Sequence, residues 1–284
     1  VVEPNLPAHL RRGLFAEPRT YQAWVRLSNA KRKPQADRKK DLRGMAIKLL
    51  GVPGPKVLES EREAQTHDFL LITHPTLQTD TVQSFQEGIA ALLGGPLAML
   101  GYAIRPRNWP VLRRSLQSLK RFGHILEAQF WSTTPYALGE GQAVKYSVRP
   151  QQNTQTPLPA HPSDDFLRER LAETLAQREV CLDFLVQVQT DPEAMPIEDP
   201  TKIWEAPYIK VATLRILPQT FDTPEQRAYG QRLQFTPWHC LPEHRPLGGA
   251  NRARRKTYEV LSAFRLANNG QVPYEPSDWE IPKA

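Results

Sequence analysis

Three residues near the C-terminal end have the types and spacing to do chemistry together. Arg254, Tyr258 and Arg265 are separated by four and then seven positions, so on a helix all three fall along one face, with Ser262 between them. A free phenol titrates at about 10, and a guanidinium within a few ångströms favours its ionised form. A phenolate held in this way is a good ligand for ferric iron. The same spacing also suits a solvent-facing basic helix with Leu261 and Phe264 packed inward, because arginine-rich helix faces are common. Spacing alone leaves both readings open.

Few other residues suggest a catalytic centre. Cys181 and Cys240 are the only cysteines, too few for a disulfide framework or a thiolate metal site, and they favour a reducing compartment, the cytoplasm. Lys plus Arg total 37 against 30 Asp plus Glu, a net charge of +7 that favours anionic partners without choosing among them. The charged residues 31–40 (KRKPQADRKK) read as a solvated loop. No aromatic residues interleave there for base stacking, so no nucleic-acid role is expected.

The elements that must position the 254–265 face are mostly strands. Residues 21–27 (YQAWVRL), 44–50 (GMAIKLL), 68–73 (DFLLIT), 143–148 (AVKYSV), 181–190 (CLDFLVQVQT) and 209–217 (IKVATLRIL) are apolar, β-branched or alternating. Residues 164–179 predict a helix through Phe166, Leu171 and Leu175, capped by Asp164 or Asp165. A second helix is expected over 81–93, and a third from an Asn251 cap to about 268. The 27 prolines and 15 glycines argue against a helical bundle, and residues 218–249 read as loops. Six or more strands with late helices suggest one body.

Residues 88–104 (GIAALLGGPLAMLGYAI) are uncharged but fall short of the roughly 20 apolar residues of a spanning helix. Arg105, Arg107, Trp109, Arg113, Arg114, Lys120 and Arg121 follow. Residues 88–121 therefore read either as a hairpin covering the body, or as a peripheral membrane contact or an acyl-chain entrance.

Arg254-x3-Tyr258-x6-Arg265 resembles the proximal helix of the haem catalases, where an arginine, the iron-ligating tyrosine and a propionate-binding arginine follow in that order. Trp24-Val25-Arg26-Leu27-Ser28 resembles the strand supplying a propionate arginine and a serine. Residues 41–48 (DLRGMAIK) resemble the D-x-R-G-x-A-x-K strand. Phe184, Gln187, Pro196, Asp199, Thr201, Lys202 and Trp204 match F-x-x-Q followed by P-x-x-D-x-T-K-x-W, and Phe235-Thr236-Pro237 fits a further block. The five blocks stand in family order and span nearly the whole chain, which is similar to the short bacterial catalase-related haem proteins and, through them, to allene oxide synthases. The resemblance implies an α+β fold, an eight-stranded antiparallel β-barrel of catalase type with inserted and C-terminal helices, as a single domain over residues 1–284. It implies haem b, with Tyr258 as the axial ligand of the iron and Arg254, Arg265, Arg26 and Ser28 around the cofactor.

The family's distal histidine would fall upstream of Val1, and Val1-Val2-Glu3-Pro4 reads as the tail of the strand that follows it. Gln65, Thr66 and His67 are the remaining candidates for a polar group over the haem, although neighbours on a strand cannot all face one pocket. His9 reads as a surface residue, and His74, His161, His239 and His244 receive no chemistry. The expected activity is haem-dependent oxidation of peroxides, catalase- or peroxidase-like. The alternatives are conversion of fatty-acid hydroperoxides, as in allene oxide synthases, and a non-catalytic haem-binding stress protein.

Overall fold

The computed structural model of the chain describes residues 1–31 and 33–278; Arg32, within the charged loop, lies outside them. Eight strands, each paired antiparallel, form one curled sheet. Its order is β1 (Ala23–Asn29), β2 (Arg43–Leu50), β3 (Thr66–Ile72), β4 (Phe130–Trp131), β6 (Ala143–Pro150), β7 (Val180–Val188) and β8 (Tyr208–Ile216), with β5 (Tyr136–Ala137) attached to β6. Helices α1 (Val82–Leu93), α2 (Gly95–Ala103) and α3 (Trp109–Ser118) enter between β3 and β4. Helix α4 (Phe166–Gln177) joins β6 to β7, and α5 (Pro224–Arg232) and α6 (Gly248–Asn268) follow β8.

The sheet is a half-barrel and not the closed barrel expected. β1 and β8 do not pair. Residues 1–3 lie along β8 instead: Val2 bridges Ala212, the Glu3 amide donates to Val211 (2.9 Å) and the Thr213 amide to Val1 (2.8 Å). A strand whose outer groups are satisfied by a neighbouring segment has no need to meet the opposite edge.

Strand alternation sorts the side chains into two layers. Val25, Leu27, Met45, Ile47, Phe69, Leu71, Tyr146, Val148 and Phe184 share the main core, which Leu10, Leu14 and Phe15 plug from the N-terminal segment. The other face carries Trp24, Arg26 and Ser28 opposite Lys48, Ala46 and Gly44. There Trp24, Ala46 and Leu70 pack with Tyr229 of α5, Leu233 and Phe235. β2 is thus buried on both sides, which explains why its sequence is nearly continuous in apolar residues.

Two local expectations change. Asp165 occupies the N-cap of α4 but makes no capping bond. The cap acceptor is Asp37, whose Oδ2 receives the Leu167 amide at 3.1 Å, so the charged loop over 31–40 is not wholly solvated. Residues 218–249 contain α5 with a complete capping box between Thr223 and Gln226, a pattern hidden by the flanking prolines.

Candidate functional site

Helix α6 begins at Gly248 with Leu247 as N-cap, so Asn251 sits inside its first turn and is not the cap expected. Its side chain is fully buried and organises the approach to the helix face. The Asn251 amide donates to the carbonyls of Leu247 and Pro135, both at 2.9 Å. Its Oδ1 accepts from Thr134 Oγ1 at 3.0 Å and from Arg254 Nη1 at 3.1 Å. Thr134 Oγ1 accepts a further Arg254 bond at 3.1 Å. The neighbouring Thr133 has φ 62°, a left-handed conformation uncommon for a β-branched residue. The turn over 132–134 is held by Ser132, which accepts the Thr134 amide at 2.7 Å and donates its hydroxyl back to the Thr134 carbonyl at 3.0 Å.

Fixed at one end, Arg254 reaches the Tyr258 hydroxyl with Nη2 at 3.3 Å, its guanidinium 5.3 Å from the ring centroid. Burial works against the Arg254 charge, but the phenol oxygens of Tyr258 and Tyr136 outweigh it and raise its pKa. Leu261 and Phe264, which a solvent-facing basic helix would pack inward, are 60% and 66% exposed, while Arg254, Tyr258, Ser262 and Arg265 are half-buried. The polar stripe faces the body because the body offers it acceptors: Arg265 donates to the carbonyls of Gln231 and Leu233, the latter at 3.1 Å.

Arg26 extends from β1 towards the same region, its guanidinium 4.4 Å from the centroid of Phe235. Desolvation and repulsion from Arg265 lower its pKa, against the attraction of Tyr258 and Asp68. The residue nevertheless remains solvent-exposed, so it faces open space beside the sheet. Two guanidinium groups and a phenol therefore share one electrostatic neighbourhood. Neither Arg26 nor Arg265 has a carboxylate within ion-pair distance among the described residues. Ser28, exposed two positions along β1, lies beside Gly44, where a Cβ would come within 2.8 Å of the Ser28 Oγ.

The three candidates at the start of β3 go to three places. Gln65 is exposed. Thr66 is buried on the outer face and hydrogen-bonded to His239 and Glu275. His67 points into the core, its ring 4.7 Å from Phe69 and 5.2 Å from His244, with Nδ1 accepting the Leu241 amide at 3.2 Å. Burial lowers the His67 pKa well below its ordinary value and that of His244 to about 3. His9 is exposed on a short 3-10 turn. No hydrogen bond joins any of these to Tyr258 among the described residues.

No protein-family model matches the chain, and no curated protein matches it. Among solved structures, a fungal catalase superposes with a TM-score of 0.70 at 18% identity, covering 89% of this chain and 53% of its own. Catalase A from Saccharomyces cerevisiae gives 0.68 at 16% identity, covering 88% and 54%. The fold is catalase-like. The chain spans about half the length of these catalases.

Several blocks that carry the resemblance have visible structural roles in this catalase-like fold. Arg43 is buried on Asp37, and Lys48 pairs with Asp68 at 2.8 Å. Gln187 Nε2 donates to the carbonyls of Trp204 and Ala206, both at 2.8 Å. Asp199 Oδ1 accepts from the Thr201 amide and hydroxyl, at 3.0 and 2.6 Å. Sequence reasoning missed Thr134, Asn251 and Tyr136 around Arg254. Thr134 and Tyr136 lie more than a hundred positions from Arg254, and Asn251, three positions before it, reads in the sequence only as a cap. It also missed His239, buried between Glu61, Thr66 and Glu275. A separate cleft of about 460 Å³ between α4 and the ends of β6 and β7 is lined by His124, Glu127, Arg170 and Cys181. Its groups are already engaged: Glu127 with Thr156, Arg170 with two carbonyls, and His124 with Thr174.

Proposed function

We propose that this chain holds a b-type haem through Tyr258 and acts on peroxides. The observation that carries the reading is the Arg254–Tyr258 hydrogen bond at 3.3 Å, with Arg254 locked by Thr134 and Asn251. The donor set fits the group. A phenol backed by a half-buried cation suits ferric iron. Arg26 and Arg265 repel one another and would take the two propionates through charge-assisted bonds. Gly44, with no Cβ, leaves room for the Ser28 hydroxyl on this face. The Ser262 Oγ, between Tyr258 and Arg265, is buried with no hydrogen-bond partner among the described residues. When bound, haem supplies the redox chemistry that cleaves a peroxide O–O bond. The chain's own part is to hold Tyr258 in one orientation, keep the Arg254 guanidinium beside its oxygen, and neutralise the cofactor's carboxylates.

A second reading, conversion of fatty-acid hydroperoxides, is favoured by the exposed apolar surface of α1 and α2, where Leu97 is 85% exposed. Titration with haemin tests the proposal. The expected result is one haem per chain with the spectrum of a high-spin ferric phenolate, lost in Tyr258→Phe. A folded protein that ignores haemin, or a Tyr258→Phe variant with the parent spectrum, would overturn it. Turnover of hydrogen peroxide against that of a fatty-acid hydroperoxide separates the two substrates. Rates no faster than free haemin would leave a non-catalytic haem protein.

A further inference from the structure

Helices α1 and α2 pack on each other as a hairpin whose charged residues are confined to one end. The turn at its tip is made by Gly94 and Gly95, the latter at φ 84°. Around that tip Leu92, Leu93, Leu97 and Leu100 are 60–85% exposed. No charged residue occurs from 88 to 104. A helical hairpin at home in water keeps charged residues on its outer surface throughout; this one carries them only at its base. There Arg107 pairs with Glu87 at 2.9 Å, Arg105 and Arg113 are exposed, and Trp109 is 59% exposed with its indole donating to Ala103 at 3.0 Å.

We propose that this hairpin docks the protein onto a bilayer carrying anionic headgroups, with the leucine tip in the acyl region and the Arg105–Trp109–Arg113 collar among the headgroups. Three features argue for that occupant. Exposed apolar side chains at the tip gain by leaving water. Tryptophan and arginine are suited to the headgroup layer. The collar's cations, on a chain of net charge +7, complement anionic lipid. α2 has nine residues, about 13 Å of helix, which matches shallow insertion. Among the described residues no helix is long and apolar enough to cross a membrane.

Co-sedimentation with vesicles tests this. Binding is expected to phosphatidylcholine vesicles containing about a third phosphatidylserine and to be much weaker with phosphatidylcholine alone. Leu97→Glu with Leu100→Glu should reduce binding at least about tenfold, and Arg105→Glu or Arg113→Glu about fivefold each. All these positions are exposed, so circular dichroism and haem stoichiometry should match the parent. No association with the anionic vesicles, equal association with neutral ones, or binding indifferent to the leucine substitutions would overturn the proposal. So would dimerisation abolished by Leu97→Glu without any lipid binding, which would assign the hairpin to a second copy of the chain. None of the substituted residues is among Tyr258, Arg254, Arg265, Arg26 and Ser28, which the haem reading uses, so this result and the haemin titration fail independently.

Discussion

Arg254 divides its donors among Thr134, Asn251 and Tyr258, a division that a single ammonium group could not reproduce with the same planar geometry. If Tyr258 holds haem as proposed, Arg254→Ala should weaken haem binding by about 10- to 100-fold, the range typical when a ligand loses its orienting partner, while Arg265→Ala should weaken it less and leave the phenolate spectrum in place. Haemin titration followed by absorption reads both. Lys145 makes a different prediction. It is 4% exposed, with Nζ 4.8 Å from the Trp204 ring centroid and donating to the Lys202 carbonyl at 3.2 Å. Burial, only partly opposed by Asp199, lowers its pKa from 10.5 to about 8. Between those values the unfolded chain binds the extra proton, so stability rises with pH across the window and the penalty is at full size below it. Lys145→Met should stabilise the protein at pH 7 by about 2 kcal/mol, and the advantage should shrink as pH rises through 8 towards 10.5. Urea unfolding at the two ends of that range measures the difference.

Among the elements, α4 and β2 depend on one carboxylate. Asp37 caps α4 through the Leu167 amide and pairs with buried Arg43 at 3.1 Å. Removing it leaves an arginine 2% exposed without its counter-charge as well as an uncapped helix. Asp37→Ala should cost about 3 to 5 kcal/mol. Asp37→Asn, which keeps an acceptor for the cap but not the charge, should fall between parent and Ala. Chemical denaturation at neutral pH orders the three. If Asp37→Ala lay within 1 kcal/mol of the parent, roughly a surface-mutation effect, the arginine would have another counter-charge.

At the scale of the whole molecule, the half-barrel is closed over on its outer face by the segment after α6. Leu233 and Tyr274 form a parallel bridge, Tyr274 stacks edge-on against Tyr229 at 5.6 Å, and Glu275 reaches Lys48 at 2.9 Å. The same cluster includes Asp68, Thr66, His239 and Glu61. Burial resists ionisation of Glu61, but the hydrogen bond from His239 and the charges of His239 and Lys48 prevail and lower its pKa below 4.5. Its contribution is therefore fully present above that ordinary carboxylate value and disappears as pH falls through the lowered one. Glu61→Gln should lower the melting temperature at pH 7 and converge with the parent under strongly acidic conditions. A constant gap across the acid range would mean that Glu61 stabilises by packing and not by charge.

Local pattern was enough for most strands. Alternation in residues 44–50 and the apolar run in 68–73 survive as β2 and β3, because successive side chains of a strand go to opposite faces and both faces find a core here. The spacing of Arg254, Tyr258 and Arg265 also placed them on one helical stripe, a consequence of helix geometry alone. Which stripe faces inward was not legible. Leu261 and Phe264 are the more apolar choice, yet the stripe with partners at Thr134, Gln231 and Leu233 turns in, because buried cations require acceptors that sequence spacing cannot locate. Closure of the sheet was likewise a tertiary matter, decided where residues 1–3 meet β8. The separate fates of Gln65, Thr66 and His67 were legible only as alternation. That Thr66 would be engaged by His239 and His67 would lie beside His244 depended on residues more than 170 positions along the chain.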